Sequence, residues 1–222
     1  MKICVIGAGR WGKNHIRTLS QLGNLGGIVE SNSSTLKEFS FKYPNIKLFE
    51  KLESAINIGF DGYILATPAE THHSLGKQLI ENGCHTLIEK PLALHKEDAE
   101  ELVRLSKENN VNLMVGHVLL FHPAIQKIKD MIDSGKVGKL QYIYSNRLNL
   151  GTIRIHENVF WSFAPHDISI FNYFTDSLPE NIHSFGGAFI QEGNHDTTIT
   201  YFEYPNNIKT HIFVSWLHPF KE

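Results

Sequence analysis

The chain's chemistry starts near its N-terminus, where Gly7-Ala8-Gly9-Arg10-Trp11-Gly12 follows the apolar run Ile3-Cys4-Val5-Ile6. Strand, glycine turn and helix in that order are what a dinucleotide pyrophosphate requires. The first glycine makes the tight turn, the second lets the phosphates approach the backbone, and the third lets helix and strand pack closely. A helix opening there offers N–H groups and a positive dipole end to the diphosphate. Arg10 and Trp11 sit inside the loop, where a flat indole can pack on the cofactor. An acid about 20 residues further on completes the fingerprint. Glu30, at the end of Ile28-Val29, fills that place. Its carboxylate can accept from ribose hydroxyls and repels a 2′-phosphate, and no arginine occurs in the following Ser31-Asn32-Ser33-Ser34. The cofactor these residues point to is NAD rather than NADP.

Lys90 is the second chemical centre. It lies in Glu89-Lys90-Pro91, just past the short run Thr86-Leu87-Ile88. That places it in a β–α loop at the carboxyl edge of a parallel sheet, where ligands bind in doubly wound folds. Its ammonium can polarise a hydroxyl and favour the alkoxide, and Pro91 keeps the preceding residue extended. Arg147 and Asn149 share one face of a strand and can reach a sugar or a diphosphate, although a solvated strand face explains them nearly as well. The thirteen histidines are scattered and lack an H-E-x-x-H or C-x-x-C setting, so no metal is expected.

The elements that must position these groups come in two rhythms. Over residues 1–118 strands and helices alternate, which argues for a parallel sheet with helices on both faces. The helices fall at 14–22, 34–43 (with Ser34 as cap), 71–82 and 96–108, the last with Ala99, Leu102, Val103 and Leu105 on its apolar side. Strands fall at 1–6, 62–67, 86–88 and 112–116. Residues 119–222 differ. Pro123 opens a helix to Asp133 with Ile125, Ile128 and Ile132 inward. Residues 140–150 alternate as a strand, Leu140, Tyr142, Tyr144 and Leu148 on one side and Ile143, Arg147 and Asn149 on the other. Pro165 to Phe174 reads as a helix, and 197–204 and 208–217 as strands around Pro205-Asn206-Asn207. The expected fold is α/β: a doubly wound Rossmann sheet over 1–118, then an α+β domain over 119–222 with a largely antiparallel sheet. The sequence stops soon after a strand, which would leave an exposed edge. This suggests a fragment of a longer chain.

Composition narrows the class. With 222 residues, 41% hydrophobic and 20% charged, the chain can bury a sizeable core and reads as globular. A net charge of −2 gives no reason to expect nucleic acid or an acidic membrane as partner. Cys4 and Cys84 suit neither a disulfide framework nor a zinc cluster, and a reducing cytoplasm is the simplest home. No apolar run reaches membrane-spanning length.

Several motifs together resemble one family. The glycine loop, Ala66-Thr67-Pro68 with His72, Glu89-Lys90-Pro91, Val115-Gly116-His117, Phe121-His122-Pro123 and Trp161-Ser162-Phe163-Ala164-Pro165-His166-Asp167 are similar to the glucose–fructose oxidoreductase/inositol dehydrogenase (Gfo/Idh/MocA) family. The resemblance covers essentially the whole chain. It implies an NAD-dependent oxidoreductase in which Lys90 and His166 meet at the nicotinamide. Gly7, Gly9, Arg10, Trp11, Gly12, Glu30, Thr67, Pro68, His72, Glu89 and Lys90 would hold the cofactor. Arg147, Asn149, Asp167, Lys90 and His166 would face a sugar or sugar-nucleotide substrate. His166, one place after Pro165, is expected in the first turn of a helix, whose positive end would keep the imidazole neutral as the base. Asp167 reads either as a helix N-terminal charge or as a partner orienting that imidazole.

Residues 144–151 and the Trp161–Asp167 stretch look most like the branch that oxidises the 3-hydroxyl of UDP-N-acetylglucosamine or its uronic acid. A dehydrogenase for inositol or another polyol, or a non-catalytic NAD- or sugar-binding protein, are the alternatives. Ser162 stands where many relatives carry an aspartate four residues before the histidine. Val118 and Leu120 stand where Asn and Arg are common. Relatives run well beyond 222 residues and assemble through the second domain's sheet, so a homodimer or homotetramer is expected of the full-length protein.

Overall fold

The computed structural model describes residues 1–150, 153–155 and 157–220. The chain divides into two compact units, Met1–Gly116 and His117–Glu222.

The first unit is a six-stranded parallel sheet. Its elements are β1 (Ile3–Ile6), α1 (Gly12–Gln21), β2 (Leu25–Val29), α2 (Ser33–Lys42), β3 (Lys47–Phe49), α3 (Leu52–Ile58), β4 (Gly62–Leu65), α4 (His72–Glu81), β5 (Thr86–Ile88), α5 (Lys96–Glu108) and β6 (Leu113–Val115). The strand order is β3-β2-β1-β4-β5-β6, and the order reverses between β1 and β4. Ile6 pairs with Val29 and Leu65, Leu65 with Ile88, and Ile88 with Val115, so the carboxyl ends of the central strands lie level. Val5, Ile16, Ile28 and Phe39 form a core on one face; Cys4, Ile6, Leu65, Leu79, Ile88 and Leu102 form another. Burial on both faces is why these strands read as continuous apolar runs.

Some expectations need correction. Asn32, not Ser34, caps α2, its side chain accepting from the Thr35 N–H. Val103 is exposed on α5 rather than inward. The short strand β3 and helix α3 carried too little periodicity to be seen in the sequence.

The two cysteines are free and buried. Burial, then the neighbouring Cys84, pushes the Cys4 thiol from 9.0 up to about 12; burial also raises Cys84. A folded-state value above the unfolded one contributes stability below the unfolded pKa that is lost as pH rises through the folded one. Urea unfolding is therefore expected to show stability falling as pH climbs from about 9 towards 12. A thiol reagent at neutral pH should label neither cysteine until the protein unfolds. Rapid labelling of the native protein would contradict this.

The second unit comprises α6 (Pro123–Asp133), β7 (Tyr142–Leu148), α7 (Val159–Thr175), β8 (Asn181–Gly187), β9 (Thr197–Tyr204) and β10 (Ile208–Ser215). The sheet order is β7-β10-β9-β8. β10 runs parallel to β7 and antiparallel to β9, and β8 is antiparallel to β9. Asn206 and Asn207, with φ of 62° and 61°, make the left-handed turn between β9 and β10, a conformation asparagine tolerates. One sheet face packs under α7 through Phe171, Phe174, Phe202, Tyr204, Ile212 and Val214. On the other face Tyr142, Tyr144, Phe185 and Ile199 are exposed.

Three expectations change here. The last strand is not an edge: β10 sits between β7 and β9, and the edges are β7 and β8. Ile128 is exposed on α6 while Lys129 points inward, bonded to Asp133 at 2.6 Å and to Asp176. Helix α7 begins six residues before the expected start, capped by the Asn158 side chain on the Trp161 N–H, with Pro165 inside it. Among the described residues no helix is long and apolar enough to cross a membrane, and no group of three or more His, Cys, Asp or Glu could hold a metal ion.

Candidate functional site

At the carboxyl edge of the parallel sheet the glycine loop is fixed by sterics. Gly7 has φ of +89°, and a Cβ there would lie 2.8 Å from the Ala66 carbonyl oxygen. A Cβ on Gly12 would lie 1.9 Å from the Gly7 carbonyl oxygen. Gly9 is the opposite case: among the described residues its Cβ would meet nothing within 4 Å beyond its own chain neighbours, so one side of the loop is open. The N-cap residue of α1, Trp11, makes no side-chain cap hydrogen bond, and a helix N-terminus of this kind suits an anion. These features fit a pyrophosphate. Trp11 is 46% exposed in this loop.

Glu30 follows β2 and holds the loop from the other side. Its Oε2 accepts from the Ala8 N–H at 2.8 Å and its Oε1 from the Asn32 N–H at 2.9 Å. Each carboxylate oxygen has a further lone pair with which to accept a ribose hydroxyl.

Thr67 and Pro68 follow β4. The Thr67 hydroxyl bonds that of Thr71 at 2.7 Å. His72, expected near the cofactor, is buried at 1% exposure. Its ring nitrogens lie 2.7 Å from the Pro91 carbonyl oxygen and 2.9 Å from that of Thr67. It therefore ties the loop after β4 to the one after β5. Glu89 and Lys90 follow β5 directly, with the Glu89 N–H bonded to the Leu65 carbonyl. Glycine loop, Thr67-Pro68 and Glu89-Lys90-Pro91 thus stand on the adjacent strands β1, β4 and β5.

In the second unit His166 lies within α7, well past its first turn. A helix dipole acts on groups within about the first turn, so the expected reason for a neutral imidazole does not hold. Asp167 is buried and accepts from Ser145 Oγ at 2.7 Å, Arg147 Nε at 2.7 Å and Arg147 Nη2 at 3.0 Å. Of the two roles open to Asp167, a helix N-terminal charge is removed, and Ser145 and Arg147 both donate to its carboxylate. The Arg147 guanidinium is correspondingly engaged within its own domain. Asn149 lies just beyond β7, its N–H bonded to the Ser215 carbonyl at 3.1 Å.

The Arg147–Asp167 fork joins β7 to the helix carrying His166. Removing one partner of a buried pair costs about 3–5 kcal/mol. Arg147, with its side chain 32% exposed, lowers the expectation to about 2–3 kcal/mol. Asp167→Ala should destabilise by that amount in urea unfolding. Adding Arg147→Met should cost little more, a coupling diagnostic of the pair. Additive losses would show that the two residues act separately.

Comparison with known proteins agrees with this architecture. Residues 1–117 match the family described as "Oxidoreductase family, NAD-binding Rossmann fold", and residues 125–222 match the "GFO/IDH/MocA C-terminal domain". The chain belongs to the GFO/IDH/MocA oxidoreductase family. Its first unit is the NAD-binding Rossmann domain of that family.

Among the family's curated members, UDP-N-acetylglucosamine 3-dehydrogenase of Acidithiobacillus ferrooxidans is 26% identical over 193 residues, which are 86% of this chain and 60% of that protein. The NAD(+)-dependent scyllo-inositol 2-dehydrogenase of Bacillus subtilis is 25% identical, over 99% of this chain and 68% of that protein. The chain thus spans less than two thirds of the length of the first of these. Among solved structures, the WlbA dehydrogenase from Bordetella pertussis, in complex with NADH and UDP-GlcNAcA, superposes with a TM-score of 0.89 at 22% identity. That match covers 100% of this chain and 68% of the other.

Proposed function

We propose that the protein is an NAD-dependent dehydrogenase that oxidises a secondary hydroxyl of a sugar, and that the hydroxyl is at C3 of UDP-N-acetylglucosamine or its uronic acid. The observation that carries this reading is Lys90 at the end of β5, two strands from the glycine loop, on the edge where the Rossmann domain takes NAD. Bound NAD supplies the hydride acceptor. The Lys90 ammonium polarises the substrate hydroxyl and stabilises the developing alkoxide. His166 accepts the hydroxyl proton, the task imidazole suits near neutral pH. Thr67, Pro68, Glu30, Arg10 and Trp11 are assigned to the cofactor, and Asn149 to the substrate. With Ser162 in place of the aspartate of many relatives, His166 acts without a carboxylate one helical turn before it.

A polyol substrate is the second reading, favoured by the inositol dehydrogenase that matches nearly the whole chain at similar identity. NADH formation from a panel of UDP-N-acetylglucosamine, its uronic acid, myo-inositol and scyllo-inositol separates the two. The largest kcat/KM is expected for a UDP-amino sugar. Preference for an inositol would replace the first reading by the second. NAD binding without turnover on any of them would mark a non-catalytic binding protein.

The full-length protein is further proposed to self-associate through the open face of the second sheet. Phe213, Ile199 and Phe185 lie opposite one another across β10, β9 and β8, and Ile199 and Phe185 are exposed. Large exposed apolar patches of this kind mark interfaces. Light scattering should report a dimer or tetramer, and Ile199→Arg should yield monomer. An unchanged mass in that variant would place the interface elsewhere.

A further inference from the structure

His15 is a histidine that the proposed chemistry does not use. It lies in α1, one turn after the glycine loop, and its Nε2 is 2.7 Å from Glu89 Oε1. A carboxylate only accepts, so the imidazole donates. The second oxygen, Glu89 Oε2, accepts from the main-chain N–H of Lys90 at 3.3 Å. The third wall is Gly116, at the end of β6, where a Cβ would come within 3.0 Å of Glu89 Cδ and Oε2. The Glu89 side chain is only 12% exposed and that of His15 25%. The carboxylate is thus gripped by α1 on one side, seated on glycine on another, and joined to the backbone of the lysine that follows it.

We propose that His15 is a positioning residue for Lys90. By holding Glu89 it fixes the main chain from which the Lys90 ammonium is delivered, and it ties that placement to the helix whose N-terminus receives the cofactor diphosphate. The inference rests on the catalytic role proposed for Lys90, but its structural half stands apart from turnover. A glutamate held this way orients its neighbour, as the outer partner of a catalytic group does. Glutamine at position 15 retains an N–H donor of comparable reach, whereas phenylalanine keeps the ring and removes both nitrogens.

The test has two readouts on the full-length protein. The first is hydrogen exchange of the Lys90 amide in the cofactor-free protein, followed by NMR. His15→Phe should speed exchange at Lys90 by about ten-fold, the size of one hydrogen bond. Amides of Leu87 and Ile88 in β5 should keep their rates, and His15→Gln should restore protection at Lys90. The second readout is steady-state kinetics. His15→Phe should lower kcat by about ten-fold or more with the NAD dissociation constant changed by less than about three-fold, and His15→Gln should recover most of kcat.

Unchanged exchange at Lys90 in His15→Phe overturns the proposal whatever the activity. Equal acceleration at Leu87 and Ile88 also overturns it, since His15 would then be a general packing residue. Faster exchange at Lys90 with kcat unchanged removes the catalytic half. Faster exchange at Lys90 in a protein whose wild type oxidises no sugar or polyol upholds the positioning contact and instead sinks the dehydrogenase reading.

Discussion

Lys90→Ala is expected to lower turnover by about 10³-fold. The ammonium is the one positive side chain assigned to the developing alkoxide. Groups that stabilise charge only in the transition state are worth about 10²–10³ in kcat when removed. Such a loss should fall on kcat and kcat/KM together, the sign of an interaction made in the transition state rather than in ground-state binding. Lys90→Arg should not rescue it, because a planar fork does not deliver a compact point charge to the same place. His166→Ala should cost about 10²–10⁴, the usual worth of a positioned general base, and part of it should return as pH rises and hydroxide replaces the missing base. NAD affinity, followed by tryptophan fluorescence, should hold within about three-fold in His166→Ala, since the glycine loop, Glu30 and Lys90 are untouched. If both variants turn over within about ten-fold of wild type, the proton and charge roles belong to other residues.

The parts of this architecture that were legible in the sequence are those set by local chemistry. Helix α6 begins at Pro123, a residue preorganised for the first helical position, and ends before Gly135. The glycine loop was legible for the same reason, because only glycine permits Gly7 and Gly12 where they stand. Helix α7 was misread because Pro165 has the same signature as Pro123. What sets its start is Asn158, whose side chain caps the Trp161 N–H. The proline then sits where it removes one backbone hydrogen bond from a helix already committed by its cap and its buried Val159, Phe171 and Phe174. That misreading carried into the chemistry, since a histidine in mid-helix has no dipole to keep it neutral.

Contacts between residues distant in sequence were not legible at all. Arg147 and Asp167 were separate candidates until β7 and α7 packed together. His72, expected near the cofactor, is a buried tie between two loops, a contact that its place in the sequence does not reveal. The central position of β10 follows from strand pairing, which chain order does not reveal. Each of these depends on which side chains face one another across elements, and no periodicity records that.

Gly12→Ala and Gly9→Ala should separate two meanings of glycine in one loop. A Cβ at Gly12 would sit 1.9 Å from the Gly7 carbonyl oxygen, a distance no rotamer can relieve because both atoms belong to backbone. The loop must move, and the expected cost is about 3 kcal/mol or more of stability in urea unfolding, at the upper end for overpacking. NAD affinity should fall with it, by about 100-fold, as α1 is displaced from the end of β1. Among the described residues, and apart from its own chain neighbours, nothing lies within 4 Å of a Cβ on Gly9. Gly9→Ala should therefore leave stability within about 0.5 kcal/mol of wild type. If the diphosphate lies over that backbone, the added methyl stands in its way, and NAD affinity should still drop by about ten-fold or more. A Gly9→Ala protein that is stable and binds NAD as tightly as wild type would show that the phosphates do not cross the open side of this loop.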